Sequence, residues 1–195
     1  MLLQAEHLSI NFGSRQLLTD VNFYLNEGDK AGIIGINGTG KSTFLKVLAG
    51  TIEADEGKIV RSPNAQISYL SQNPVMEDEA TILEQIFLHF PKDFRELNEY
   101  EAKSMLTKLG FTDFSQKVGT LSGGQRKRVA LVAALVHPAD ILILDEPTNH
   151  LDSEMVAWLE DWLRAFRGGL IMVTHDRYFL ERVVNHITEL SRGKI

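Results

Sequence analysis

Hydrophobic and polar positions follow two different spacings along the chain. Short apolar runs of strand length recur, and between them apolar residues stand three and four positions apart, which is the spacing of helices. The predicted strands cover residues 30–35, 66–70, 141–145, 170–174 and 186–190, after an alternating, strand-like segment at residues 2–10. Strands that alternate with helices predict an α/β domain with a largely parallel, buried sheet.

A long helical stretch separates the second and third of the listed strands. Apolar residues recur at helical spacing over residues 82–90 and again over residues 97–109, where Gly110 suits a helix C-cap. A further helix is expected from Asp152 until Gly168 and Gly169 stop it. We expect one domain over residues 1–195, with a core of residues 1–72 and 137–195 and a helical subdomain of residues 73–136.

Composition narrows the class of protein. A hydrophobic content of 44% and a charged content of 24% are typical of a globular domain, and 195 residues suffice for one sizeable core. The formal net charge of −6 offers no overall attraction to nucleic acid or anionic lipid. No apolar run approaches the roughly 20 residues that span a bilayer, so no direct membrane insertion is expected. The absence of cysteine and of a signal peptide predicts a cytoplasmic location.

Residues 35–42 read Gly-Ile-Asn-Gly-Thr-Gly-Lys-Ser, between a predicted strand and a helical segment. This is the P-loop pattern, in which glycines let backbone amides turn toward a triphosphate and the next helix points its positive end at it. Lys41 is expected to bridge the β- and γ-phosphates, and Ser42 to ligate Mg²⁺. The predicted nucleotide-binding residues here are Gly35, Asn37, Gly38, Thr39, Gly40, Lys41, Ser42 and Thr43.

The apolar strand at residues 141–145 delivers two carboxylates at its carboxyl end. Open α/β sheets place their ligands at that edge, so Asp145 suits the shell of a Mg²⁺ ion and Glu146 suits the polarisation of an attacking water. A strand that ends in Asp-Glu is, by itself, commonly a solvated loop entry. The P-loop earlier in the chain favours the catalytic interpretation.

A second anion site is predicted where Ser122, Gly123, Gly124 and Gln125 precede an apolar helical run. Exposed amides and a hydroxyl at a helix start suit a γ-phosphate, although the same residues would also make a plain capped helix behind a flexible turn. The basic residues at 126–128 invite a nucleic-acid interpretation. The acidic total favours a solvated helix face instead.

Taken in order, these motifs together with Asp152 and His175 resemble the ATP-binding cassette (ABC) family over essentially the whole chain. The resemblance implies a P-loop NTPase with a RecA-like core of mixed or parallel sheet, an ABC-type helical subdomain, and ATP and Mg²⁺ as cofactors. It also implies that two cassettes sandwich two ATP molecules, and that the second anion site of one cassette contacts the nucleotide held by its partner. Asp152 is a further implied nucleotide-binding residue.

The family pattern assigns three further roles by position. Gln72 becomes a Mg²⁺ ligand that reports the γ-phosphate to the helical lobe, and His175 becomes a switch that contacts that phosphate. Phe12 resembles the aromatic on which adenine stacks, although an aromatic in an N-terminal strand is often simply part of the core. The implied catalytic residues are Lys41, Gln72, Glu146 and His175.

A narrower resemblance lies in residues 144–152 and 174–180, which are similar to the ABC-F class of soluble proteins with two tandem cassettes. It implies the first cassette of such a protein, with the ribosome or RNA as partner of the full-length chain. Residues 73–120 have the length of a cassette without the long helical arm of that class. The alternative is the ATP-binding subunit of a membrane transporter. A P-loop kinase is disfavoured, because it would not need residues 122–125.

Overall fold

The computed structural model describes every residue from Met1 to Ile195. The strands are β1 (Leu3–Phe12), β2 (Arg15–Leu25), β3 (Lys30–Ile34), β4 (Glu56–Arg61), β5 (Ile67–Leu70), β6 (Ile141–Asp145), β7 (Gly169–Val173) and β8 (His186–Glu189). The α-helices are α1 (Lys41–Ala49), α2 (Ile82–Ile86), α3 (Lys92–Lys108), α4 (Gly123–Val136), α5 (Ser153–Ala165) and α6 (Arg177–Val183), with a 3₁₀ turn at Val118–Thr120.

The chain folds into two compact units. The first comprises Met1–Gln72, Ala139–Pro147 and Leu163–Ile195, and the second comprises Asn73–Pro138 and Thr148–Trp162. The expected division differs from these units chiefly at residues 148–162, which belong to the second unit. Local packing explains the difference: an added Cβ at Gly124 would lie 3.2 Å from the His150 side chain, and one at Gly110 would lie 3.3 Å from that of Met155.

Five parallel strands form the main sheet of the first unit, in the order β5-β6-β7-β3-β8. They are the five predicted strands, each within one residue of its expected ends. All five residues of β6 and of β7 are buried, which accounts for their continuous apolar sequence, since helices cover both faces of a parallel sheet. The parallel order brings the carboxyl ends of β3, β6 and β7 to one edge.

A three-stranded antiparallel sheet, β2-β1-β4, completes the first unit. Its strands β2 and β4 were not predicted, because charged and polar residues interrupt their alternation. Between the two sheets lies a core into which α1 inserts Phe44, fully buried and edge-on to Phe23 at 5.7 Å between ring centroids. Truncating a buried phenylalanine costs about 3–5 kcal/mol, so Phe44 is a main anchor of the helix that follows the P-loop.

The second unit is helical. Both α2 and α4 begin with a capping box, formed by Thr81 with Glu84 and by Ser122 with Gln125. The predicted end of α3 is close to the observed one: the helix runs to Lys108, and Gly110 takes the left-handed conformation (φ 88°) that ends a helix. No helix in the molecule is both long and apolar enough to cross a bilayer.

Candidate active site

The loop between β3 and α1 is shaped by its glycines. Gly38 and Gly40 have φ angles of 81° and 97°, in the left-handed region that other residues rarely adopt. The Thr39 hydroxyl donates to the Ile36 carbonyl oxygen at 2.8 Å and closes the turn. Gly40 precedes α1 without any side-chain cap, so the first amides of that helix carry no intramolecular side-chain acceptor. They are therefore available to an anion.

Gly35 starts the loop where space is tightest. A Cβ added there would lie 2.5 Å from the carbonyl oxygen of Leu190 and 3.0 Å from the hydroxyl oxygen of Thr39. The Leu190 backbone cannot move away to relieve such a clash, so only glycine fits at position 35.

The Lys41 side chain folds back over this loop. Its ammonium group donates to the carbonyl oxygens of Gly35 at 2.7 Å and Ile36 at 2.9 Å. Lys41 is buried, and its two hydrogen bonds to carbonyl oxygens fix its ammonium group beside the loop. A cation in this position can form an ion pair with a phosphate group bound at the loop.

Glu146 follows β6 in a strained backbone conformation, with φ of 52°. Its amide donates to the Val173 carbonyl oxygen at 2.8 Å, which holds that conformation. One carboxylate oxygen accepts the His175 backbone N–H at 3.2 Å, and the other lies 3.2 Å from the His175 Nε2. The backbone and the side chain of His175 therefore both fix the orientation of the carboxylate.

Burial raises the pKa of the Glu146 carboxyl above its ordinary value, against the opposing effect of the His175 N–H. A raised pKa makes a carboxylate a better proton acceptor near neutral pH. Nearby, burial and the charge of Asp145 raise the pKa of the Tyr69 phenol to about 12, so this group stays neutral.

A cavity of about 660 Å³ joins these groups. Eleven predicted site residues line it: Phe12, Asn37, Gly38, Gly40, Lys41, Ser42, Thr43, Gln72, Asp145, Glu146 and His175. Gly35 and Thr39 shape the loop without lining the cavity. The Phe12 side chain is 61% exposed at the cavity, so the alternative of a core residue is wrong for this position.

Ser122, Gly123, Gly124 and Gln125 lie in the second unit, at the start of α4. The Ser122 hydroxyl accepts the Gln125 N–H at 3.2 Å, and the Gln125 side chain accepts the Ser122 N–H at 2.9 Å. A Cβ at Gly123 would meet no atom within 4 Å. Asp152, also in this unit, accepts the Met155 N–H at 2.9 Å at the start of α5. The start of α4 is thus preorganised and open.

The basic residues that follow are less solvated than expected. Arg126 forms an ion pair with Asp78. Arg128 donates to the Leu109 carbonyl oxygen at 2.9 Å, and its guanidinium lies 5.7 Å from the centroid of the Phe111 ring. Both side chains bind within the second unit, which disfavours a nucleic-acid role for this segment.

Sequence reasoning missed three residues that line the cavity, namely Arg15, Leu17 and Val173. Arg15 donates from a terminal guanidinium nitrogen to the Gly38 carbonyl oxygen at 2.7 Å. The Gly-Ser turn after Phe12 was the available signal, because a two-residue turn there brings residue 15 back beside residue 12.

Residues 18–149, more than half of the chain, match the protein family described as ABC transporter. The chain belongs to the ABC transporter family. Two relatives show which proteins are similar to it in sequence. The uncharacterized ABC transporter ATP-binding protein YfmR of Bacillus subtilis is 40% identical over 231 residues, covering 100% of this chain and 37% of that protein. The energy-dependent translational throttle protein EttA of Escherichia coli K12 is 35% identical over 218 residues, covering 92% and 39% respectively.

The chain thus spans well under half of the length of these relatives. The alignment with YfmR has 231 positions against 195 residues in this chain, so 36 of its positions have no counterpart here. Because the whole chain is covered, these positions fall inside it. YfmR therefore carries residues, in one or more places between aligned positions, that have no counterpart in this chain.

Solved structures confirm the α/β fold of a P-loop cassette. The ATP-binding subunit of an ABC transporter superposes with a TM-score of 0.87 at 25% identity, covering 100% of this chain and 88% of that one. A dimeric bacterial ABC transporter cassette gives the same TM-score at 23% identity, with 100% and 96% coverage.

Proposed function

We propose that this chain binds ATP with Mg²⁺ and hydrolyses it to ADP and phosphate. The observation that carries the proposal is the convergence of Lys41, Asp145, Glu146 and His175 on one cavity at the start of α1. A cation, two carboxylates and an imidazole around a loop of turned amides suit phosphoryl transfer to water.

The residues present fit a bound Mg²⁺. The Ser42 hydroxyl, the Gln72 amide and the Asp145 carboxylate all line the cavity and supply hard oxygen donors. No cluster of three or more His, Cys, Asp or Glu residues could hold a metal alone. This matches an ion that takes few protein ligands and completes its shell with water and phosphate, and when bound it would neutralise phosphate charge.

Glu146 is the proposed proton acceptor for the attacking water. Its raised pKa makes the carboxylate more basic, and its two contacts with His175 fix the position of the carboxylate in the cavity. The His175 side chain is 63% exposed, so a phosphate oxygen in the cavity could reach its imidazole. Lys41 would exchange the Gly35 and Ile36 carbonyl oxygens for β- and γ-phosphate oxygens. Phe12 would stack against adenine.

The site is proposed to be completed by a second cassette. Ser122–Gln125 form an open, capped helix start in the second unit. Such a helix start would serve a γ-phosphate held by the partner, with Asp152 beside it. Turnover per chain should therefore rise with protein concentration, and a rate per chain that stays constant over a hundredfold dilution would refute the pairing.

A role in translation, in the cytoplasm and as the first of two cassettes of an ABC-F protein, is the leading biological proposal. It rests on the 35% identity with EttA, a protein named as a translational throttle. The second candidate is the ATP-binding subunit of a transporter, favoured by the structural likeness to such a subunit.

Ribosome cosedimentation separates the two candidates. The chain carrying Glu146→Gln, with Mg-ATP, should pellet with purified ribosomes through a sucrose cushion, and the same chain with Mg-ADP should not. The Lys41→Ala variant is the matched control, because it should not respond to nucleotide. An ATP-loaded chain that stays in the supernatant would contradict the ribosome role.

A further inference from the structure

Arg15 is a charged residue of the cavity that neither the P-loop motif nor the carboxylate strand explains. It is the first residue of β2 and pairs directly with Phe12, the last residue of β1, across the turn at Gly13 and Ser14. From there its guanidinium reaches the P-loop and donates to the Gly38 carbonyl oxygen at 2.7 Å. Arg15 thus joins the hairpin that carries Phe12 to the loop that precedes Lys41.

Arg15 and Lys41 are held in the same way. Each places its cationic group on carbonyl oxygens of the same loop, Lys41 on Gly35 and Ile36 and Arg15 on Gly38. A guanidinium has five N–H donors, and the contact with Gly38 uses one nitrogen of the fork. The remaining donors can take an anion while the group keeps its place at the loop.

The order of groups along a nucleotide identifies that anion. If the base stacks on Phe12 and the β- and γ-phosphates lie at Lys41, the ribose and the α-phosphate occupy the stretch between them. Of these two groups only the α-phosphate is charged, and a planar guanidinium fork matches phosphate oxygens in charge and geometry. Resting on the proposed ATP binding, we propose that Arg15 contacts the α-phosphate of the bound nucleotide.

Two other roles for Arg15 predict different results. If Arg15 only stabilises the loop through its hydrogen bond to Gly38, its loss would disorder the amides that contact the β- and γ-phosphates. The affinity for ATP would then fall more than the affinity for ADP, and the affinity for AMP would not change. If its guanidinium stacks on the base, adenosine would lose affinity as well. Loss of a contact with the α-phosphate would weaken the binding of AMP, ADP and ATP by the same factor and leave the affinity for adenosine unchanged.

The test is titration calorimetry of wild type and Arg15→Gln with Mg²⁺ and four ligands: adenosine, AMP, ADP and a non-hydrolysable ATP analogue, the weak ones by competition against ADP. The expected dissociation constants rise about tenfold for AMP, ADP and the analogue alike, as for the loss of one charge-assisted hydrogen bond. Arg15→Lys keeps the charge without the fork and should lose about threefold. Arg167→Gln removes an equal charge from an exposed residue outside the cavity and should change nothing.

Thermal unfolding by circular dichroism checks that each variant folds. A loss that grows from AMP to the ATP analogue, a loss shared by adenosine, or no loss at all would each overturn the α-phosphate contact while leaving ATP binding intact. If the folded wild type bound none of the nucleotides, the proposed ATP binding would be refuted, and the proposed contact between Arg15 and the α-phosphate would be refuted as well.

Discussion

Replacing Glu146 by glutamine changes one oxygen and one charge at the centre of the site. The side chain keeps its length, and its amide oxygen can still accept the His175 N–H that the carboxylate accepts at 3.2 Å. What is lost is the proton acceptor. General-base catalysis typically contributes 10²–10⁴-fold, so we expect kcat for ATP to fall about a thousandfold, which corresponds to about 4 kcal/mol in the activation free energy.

Nucleotide affinity should change by less than about twofold, because the P-loop amides, Lys41 and Phe12 are untouched. With binding intact and chemistry blocked, Glu146→Gln should accumulate as an ATP-bound dimer on size-exclusion chromatography, while wild type remains mostly monomeric. Each protein is run with Mg-ATP and with Mg-ADP, and phosphate release is measured on the same samples. Glu27→Gln, at an exposed position outside the cavity, is the matched control and should behave as wild type.

Wild-type turnover in Glu146→Gln would remove this residue from the catalytic assignment. An inactive variant that never dimerises would contradict self-pairing of this chain and favour a different cassette as its partner.

Three further outcomes follow from the same contacts. Lys41→Ala should weaken ATP binding at least about a hundredfold by calorimetry, because it removes the cation held at the loop; unchanged affinity would refute the P-loop assignment. Phe12→Ala should weaken ATP and adenosine about tenfold each, while Phe12→Trp retains both, since stacking contributes about 1–3 kcal/mol per base; an unaffected Phe12→Ala would exclude stacking. The raised pKa of Glu146 means that the folded state holds this proton to a higher pH than the unfolded chain does. The stability contributed by that proton is complete below the ordinary carboxyl pKa and is lost as pH rises through the raised value, so the melting temperature of Glu146→Gln should exceed that of wild type at pH 7.5 and match it at acidic pH.

Sequence patterns predicted the parallel sheet well because its strands are buried on both faces. Residues 141–144 are all apolar, and nothing but a buried strand or helix accommodates such a run between two turns. Strand β4 shows the limit. Only Ile59 among its six residues is even partly buried, so hydrogen bonding to β1 forms it rather than any apolar pattern.

The site shows the same contrast. Residues 35–42 carry their chemistry in consecutive positions, so the sequence pattern is enough to predict a phosphate loop. Arg15 acquires its place only when a hairpin turns and presents it to Gly38, 23 positions further along the chain. The pairing of the Glu146 carboxylate with His175 likewise arises from parallel strands β6 and β7 lying side by side.

The left-handed backbone of Glu146 makes position 146 a place where folding and activity select different amino acids. Glycine would relieve a backbone cost of about 1 kcal/mol, and β-branched residues would aggravate it. A library at this position sorted for protein abundance should therefore be rich in glycine, asparagine and aspartate and poor in valine, isoleucine and threonine. Sorted for ATP turnover, the same library should retain glutamate. Tolerance of substitution at residue 146 thus measures the backbone, and only the contrast between the two sorted populations measures the chemistry.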